Sequence, residues 1–306
     1  MDLHRLAPSG VFSASAARAS GISGALLRSL VARGQCHPLH RGWYSVQRPT
    51  SDKHRHRLRV VALLEEYEGR VMASHCSALA LLDLPDEDID WGTVHLMWRD
   101  AELPFRAFSR VHIHERVEHP ALRHGAETVD LGLAAVQVGL RSQTGMLVVA
   151  DHCLRVGLTT PESLAAAARS LGGQRGVTRA KAAIPWCDGR HETPGETLTA
   201  HVLRGLGYAF TPQFEVVRSE RPGRVFHADF RIEDSLVLVE FDGKVKYDPL
   251  SNPDAARANF EEKLREDELR RLGFVVVRLT RADLARPALV RARVEAALAD
   301  SRRFTG

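Results

Sequence analysis

The stretch Val225–Lys246, reading VFHADFRIEDSLVLVEFDGKVK, constrains the fold more than any other part of this chain. It holds two short apolar strands, each delivering an acid near its end: Asp229 after VFHA and Glu240 after LVLV. Asp242-Gly243 follows at once as a turn signal. Strand side chains alternate between faces, so Val237, Val239 and Phe241 are expected on one face and Glu240 and Asp242 on the other. An ionised carboxylate beside a buried strand is costly unless a cation or hydrogen bonds compensate it. Carboxylates converging at the open ends of adjacent strands suit a hard divalent cation. Asp229, Glu240 and Asp242 are therefore candidate ligands for Mg²⁺ or Mn²⁺, and a metal-dependent phosphodiesterase is the chemistry they suggest.

The 306 residues suffice for two or three domains, each burying a core. Apolar content of 44% and charged content of 26% exclude wholesale disorder. The net charge of +4, with a pI near 9.0, is compatible with nucleic acid without demanding it. Cys36, Cys76, Cys153 and Cys187 form no C-x-x-C pair, which argues against a zinc ribbon or disulfide scaffold and for reduced thiols. MDLHRLAPSG lacks an apolar signal core and no apolar run approaches a bilayer span, so a cytoplasmic protein without a membrane partner is expected.

Three regions are expected: 1–50, 51–190 and 191–306. In the first, Ser13 caps a short helix, Ala14–Ala19, ended by Ser20-Gly21. Ser23 caps a second helix with apolar Ala25, Leu26, Leu30 and Val31, stopped by Gly34. Two short helices about a tight glycine turn are the helix-turn-helix pattern. The following HPLHRGWYSV reads as a two-stranded ribbon turning at Arg41-Gly42, completing a winged helix. Arg18, Arg28, Arg33, His40 and Arg41 are the candidate contacts to double-stranded DNA. A packing module without nucleic acid is the plainer alternative.

The middle region is read as α/β: helices at 54–69, 74–82, 130–140 and 146–156, one opened by Thr160-Pro161-Glu162, and strands at 93–98 and 110–114. It carries no glycine-rich phosphate loop and no nucleophile–base pair. His95, His112 and His114 alternate on strands; an ordinary polar β face is the expectation there, with metal binding the alternative. From Thr193 onward the order is helix (to Leu206), three strands, a charged helix at 256–272, a strand at 274–279 and a final helix.

The C-terminal third resembles the restriction-endonuclease-like PD-(D/E)XK superfamily, in the branch related to very-short-patch-repair endonucleases. The residues that carry the likeness are Pro194-x-Glu196, Pro212-Gln213, Ala228-Asp229-Phe230, Val239-Glu240-Phe241-Asp242-Gly243, Glu262-Lys263-x-Arg265-Glu266-Asp267 and Val277-Arg278. The resemblance implies a mixed sheet flanked by helices. It also implies Mg²⁺ (or Mn²⁺) on Asp229 and Glu240 with the Phe241 carbonyl, Glu196 reaching in, and Gln213 orienting water or phosphate. The superfamily's lysine, two residues after the second acid, is replaced by Asp242. Lys263 is then the candidate relocated lysine, ahead of Lys244. The branch's histidine after the Asp-Gly turn is also missing, its place offering Lys246 and Tyr247.

Residues 1–160 resemble type IV antitoxins of the AbiEi kind, through Gly21-Ile22-Ser23, Leu30–Gly34, Arg41–Tyr44 and Ser74–Ala78. That likeness implies a promoter-binding winged helix and a nucleotidyltransferase-like toxin as partner. Two functions follow as expectations: a DNA-binding protein with an endonuclease-like domain, and a non-enzymatic autorepressor with a degenerate nuclease fold. In the second, Asp242 serves a tight turn and Asp229 pairs with Arg231 or Arg278.

Overall fold

The computed structural model describes residues 3–119, 125–217, 225–243 and 265–305. The chain is mixed α+β, with three sheets that are mixed or antiparallel, and divides into two compact units, Met1–Cys187 and Asp188–Gly306. Lys244, Lys246, Tyr247, Glu262 and Lys263 lie outside the described residues.

The first unit opens with α1 (Leu3–Leu6), β1 (Val11–Ser13), α2 (Ala14–Ala19), α3 (Gly24–Ala32), β2 (His37–His40) and β3 (Trp43–Ser45). Both expected caps form: Ser13 Oγ accepts from the Ala16 N–H and Ser23 Oγ from the Leu26 N–H. The strands make an antiparallel sheet in the order β1-β3-β2. β1 was not anticipated, because its three residues acquire strand character only by pairing Val11 with Ser45 and Ser13 with Trp43. Phe12, Ala17, Ile22, Leu27 and Leu30 form the local core. Val11 instead meets Leu58 and Ala62 of α4 (Asp52–Glu66), so residues 1–50 merge into the larger unit.

The rest of this unit is a four-stranded mixed sheet under a helical layer. After α4 come β4 (Val71–Ala73), α5 (His75–Leu81), β5 (Val94–Trp98), β6 (Arg106–Phe108) and β7 (Val111–His114), in the sheet order β4-β5-β7-β6. β5 and β7 run parallel; the outer pairs are antiparallel. The helices are α6 (Leu131–Gly139), α7 (Gln143–Arg155), α8 (Pro161–Ser170) and α9 (Val177–Ala183), followed by a 3₁₀ turn at Ile184–Trp186. Every residue of α6 is buried, as its apolar circumference requires.

The second unit contains α10 (Pro194–Gly205), β8 (Phe210–Val217), β9 (Val225–Ile232), β10 (Val237–Phe241), a helical stretch at 265–271, β11 (Val275–Leu279), α12 (Arg281–Leu284) and α13 (Pro287–Thr305). Its sheet order is β11-β10-β9-β8, with β10 and β11 parallel and the other pairs antiparallel. The alternation in β10 is realised on two covered faces. Val237 and Val239 pack with Phe230, Leu279, Val290 and Val294, whereas Leu238 packs with Val216, Ala228 and Leu269. Burying an apolar side chain of this size stabilises by about 1.5–3 kcal/mol, which holds the register against a slip. Among the described residues, no helix is long and apolar enough to cross a membrane.

Candidate functional site

The alternation of β10 carries Glu240 onto the Leu238 face and its end into a cleft of about 200 Å³. Asp229 of β9, Glu240, Phe241 and Asp242 line this cleft with His227, Arg265 and Arg278. The adjacent antiparallel pairing of β9 and β10 is what brings Asp229 to the strand end that holds Glu240. Asp229 Oδ2 accepts the Phe241 N–H at 2.7 Å. Burial pushes the Asp229 carboxyl up to about 6, opposed by that hydrogen bond; the charges of Glu196 and Glu240 raise it further and Arg265 lowers it.

Glu240 is buried, and its Oε1 accepts from Arg265 at 2.6 Å. Its Oε2 lies 3.7 Å from Arg278 Nε. Arg265 also donates to the His227 carbonyl at 2.8 Å, which ties the 265–271 helix to β9. Arg278 stands opposite Glu240 in the parallel register of β10 and β11. Neither alternative partner is seen on Asp229: Arg231 Nε donates to the Ser235 carbonyl at 3.0 Å, and Arg278 lies 3.7 Å from both Glu240 and Glu266. Asp242 is exposed at the cleft's edge, its N–H donated to the Leu279 carbonyl at 2.8 Å.

Glu196 sits at the third position of α10, where its N–H bonds Thr193 Oγ1 and its Oε1 accepts from that hydroxyl at 2.9 Å. Its Oε2 accepts from the Glu192 N–H at 2.8 Å and Gln213 Nε2 at 2.9 Å. Both oxygens are therefore engaged in closing the helix N-terminus, in the manner of a capping box. Gln213 adopts φ +50°, a left-handed conformation that costs a non-glycine residue about 1–3 kcal/mol. Side chains of β8 and β9 change clusters around this residue: the partly buried Phe210 packs with Phe230, and the partly buried Phe214 with Ala228.

At the N-terminus, Arg18, Arg28, Arg33 and Arg41 are exposed. Arg28 lies on α3, Arg33 is its C-cap, and Arg41 precedes Gly42 at φ +80°, between β2 and β3. His40 is placed differently. It is half-buried, tilted against Trp43 and 3.9 Å from Glu66, and burial lowers its pKa.

The β5–β7 face expected to carry ordinary polar residues holds a histidine group. His95 is buried and pairs Nδ1 to His114 Nε2 at 2.9 Å. The third member is not His112 but His75, at the start of α5, whose ring stacks on His114 at 4.3 Å and His95 at 4.8 Å between centroids. Burial lowers all three: His95 to about 2, His114 to about 4, and His75 well below its ordinary value. Their ring nitrogens lie within 4.8 Å of one another, the one such His/Cys/Asp/Glu group among the described residues. No sequence spacing signals it, because His75 reaches its partners through the fold.

No family model and no curated protein matches this chain. Among solved structures, the RV2827C protein from Mycobacterium tuberculosis is similar over 65% of this chain and 77% of its own, at 16% identity and a TM-score of 0.37. That likeness is too loose to bear on function.

Proposed function

We propose that this chain is a DNA-binding protein whose N-terminal winged helix engages double-stranded DNA. Its C-terminal restriction-endonuclease-like domain then hydrolyses phosphodiester bonds with Mg²⁺ or Mn²⁺. The observation that carries the reading is the cleft where Asp229, Glu240 and Asp242 meet Arg265 and Arg278. Acids and arginines in one recess match the two halves of a scissile site, a cation and a phosphate. The winged helix is supported by the β1-β3-β2 sheet beside α2 and α3 and by the four exposed arginines.

The donors are of the type a hard divalent cation takes, since all are oxygen; the acids are not gathered as closely as the histidine group, and an ion would take the place that Arg265 and Arg278 now hold at Glu240. Asp229, Glu240 and the Phe241 carbonyl would hold it. Bound there, the ion supplies water activation and charge neutralisation. The Phe241 N–H fixes Asp229, and an ion replacing Arg265 and Arg278 at Glu240 would release their forked donors to phosphate oxygens. Asp242 contributes a further carboxylate where the superfamily has lysine. Glu196 and Gln213 act from behind, bracing the start of α10 against β8.

Calorimetry with Mg²⁺ and Mn²⁺ on the wild type and Asp229→Ala tests this. Single-site binding that vanishes in the variant, with cleavage of duplex DNA lost in Glu240→Ala, is expected. No metal binding and no cleavage would sink the enzymatic reading.

One observation favours a second reading. The Arg265 guanidinium already engages Glu240 at 2.6 Å, as a retired cation site would. On that reading the chain is a type IV antitoxin-like autorepressor working beside a nucleotidyltransferase-like toxin. Glu240→Ala then leaves promoter binding and repression untouched.

A further inference from the structure

We propose that His75, His95 and His114 form a transition-metal site, of the kind zinc occupies. Its open coordination position faces an arginine-lined cleft and takes an oxyanion.

The donor distances are close to what such an ion requires. Tetrahedral zinc with Zn–N bonds of about 2.0–2.1 Å sets neighbouring ligand nitrogens about 3.3 Å apart. His95 Nδ1 and His114 Nε2, at 2.9 Å, need to part by only a few tenths of an ångström. His75 is within 4.8 Å, and its ring, now stacked on the other two, turns out of the stack to aim a nitrogen at the ion. Imidazole is a donor for zinc, cobalt or copper and a poor one for Mg²⁺, so the site is chemically distinct from the carboxylate cleft.

Polar neighbours anchor the backbone of two of these residues and one of the rings, as outer partners anchor metal ligands. The His95 backbone N–H donates to Ser77 Oγ at 2.8 Å, which fixes the main chain of β5 there, and Ser77 Oγ in turn bonds His56 Nε2 at 2.9 Å. His56 Nδ1 is anchored on the Trp91 carbonyl at 2.9 Å. His75 Nδ1 bonds Ser74 Oγ at 3.1 Å, which leaves its Nε2 for an ion. The His75 backbone is in the left-handed region, at φ +50°, and its N–H is held by Gln137 Oε1 at 2.9 Å. Such strain, about 1–3 kcal/mol, persists where the surroundings over-determine a position, and it clusters at functional sites.

The three rings open on a cleft of about 1040 Å³ that Arg141, Arg175 and Arg179 also line. Arg179 is anchored on the carbonyls of Leu140 and Arg141 at 2.7 and 3.0 Å. Three guanidinium groups beside neutral imidazoles repel a bare dication. The site therefore favours metal and anion together, with the oxyanion bridging the ion and the arginines.

The test uses the full chain, stripped with chelator and titrated with Co²⁺, whose tetrahedral d–d bands report nitrogen coordination. One equivalent should produce these bands, and Zn²⁺ should abolish them by displacement. His114→Asn should weaken Co²⁺ binding more than about 100-fold, beyond the loss expected for an outer partner. His112→Ala and Asp229→Asn should leave it unchanged. Inorganic phosphate should shift the bands and tighten binding, and Arg141→Gln should remove that response. Absent bands, undiminished binding in His114→Asn, or competition by excess Mg²⁺ would overturn the proposal; the last needs no variant to fold. Bands indifferent to phosphate would overturn its anion half.

Discussion

Replacing Asp229 by Asn should stabilise the second unit at neutral pH and leave it unchanged near pH 4. The folded carboxyl holds its proton up to about 6, whereas its ordinary value is 3.8. Between these values the folded state binds more protons than the unfolded one. Stability is therefore highest below 3.8, falls as pH rises through 6, and stays lower above it. A displacement of this size in a fully buried group costs folding on the order of 3 kcal/mol. Asp229 is only partly buried, and solvent screening reduces the figure to about 1–2 kcal/mol. The amide introduced by Asp229→Asn keeps an oxygen for the Phe241 N–H, so the substitution removes charge and little else. Tryptophan fluorescence is a poor probe of the change, because Trp43, Trp91, Trp98 and Trp186 all belong to the first unit. Amide hydrogen exchange of β9 and β10 reads it directly. Protection in Asp229→Asn should exceed wild type at about pH 7.5 and match it at about pH 4, and saturating Mg²⁺ should narrow the gap by stabilising the wild type. Equal effects at both pH values, or a loss of protection at the higher one, would refute the electrostatic account of the cleft.

Gly195→Ala, which in an open helix would stabilise by about 1 kcal/mol, should instead weaken the second unit. A Cβ there would stand 2.0, 2.2 and 2.6 Å from three Phe241 ring atoms, and overpacking of this kind costs about 1–3 kcal/mol. Faster exchange at β10 checks it, and slower exchange would contradict the packing of α10 on the sheet. Arg28→Ala and Arg41→Ala should each lower the salt slope of duplex-DNA binding by about 1, measured by fluorescence anisotropy across a salt series. Unchanged slopes in both would remove these residues from the interface.

Local chemistry was legible from the residues alone wherever neighbours in sequence supply both partners of an interaction. The Thr193 and Thr160 hydroxyls accept helix N–H groups as the motifs around them imply, and Gly42 turns the β2–β3 ribbon with a left-handed φ. Alternation in β10 was likewise readable, since a period of two needs only the strand itself. The three-residue strands β1, β4 and β6 were not, because so short a segment is a strand only through its neighbour's hydrogen bonds. Gln213 gave no sign of its left-handed backbone, a conformation that tertiary packing imposes against local preference.

The same division runs through the sites. Asp229, Glu240 and Asp242 announced themselves because two adjoining strands carry them, and antiparallel pairing of such strands brings their acids together. That Arg265 holds Glu240, and that Glu196 braces a helix end, depended on where distant elements pack. His75 joined His95 and His114 only when α5 was laid beside the parallel β5–β7 pair. A chain determines its turns, caps and strand faces over a few residues, where geometry is bounded by covalent reach. Contacts between elements tens of residues apart are set by which apolar faces bury one another, and only the folded structure decides which side chains then meet.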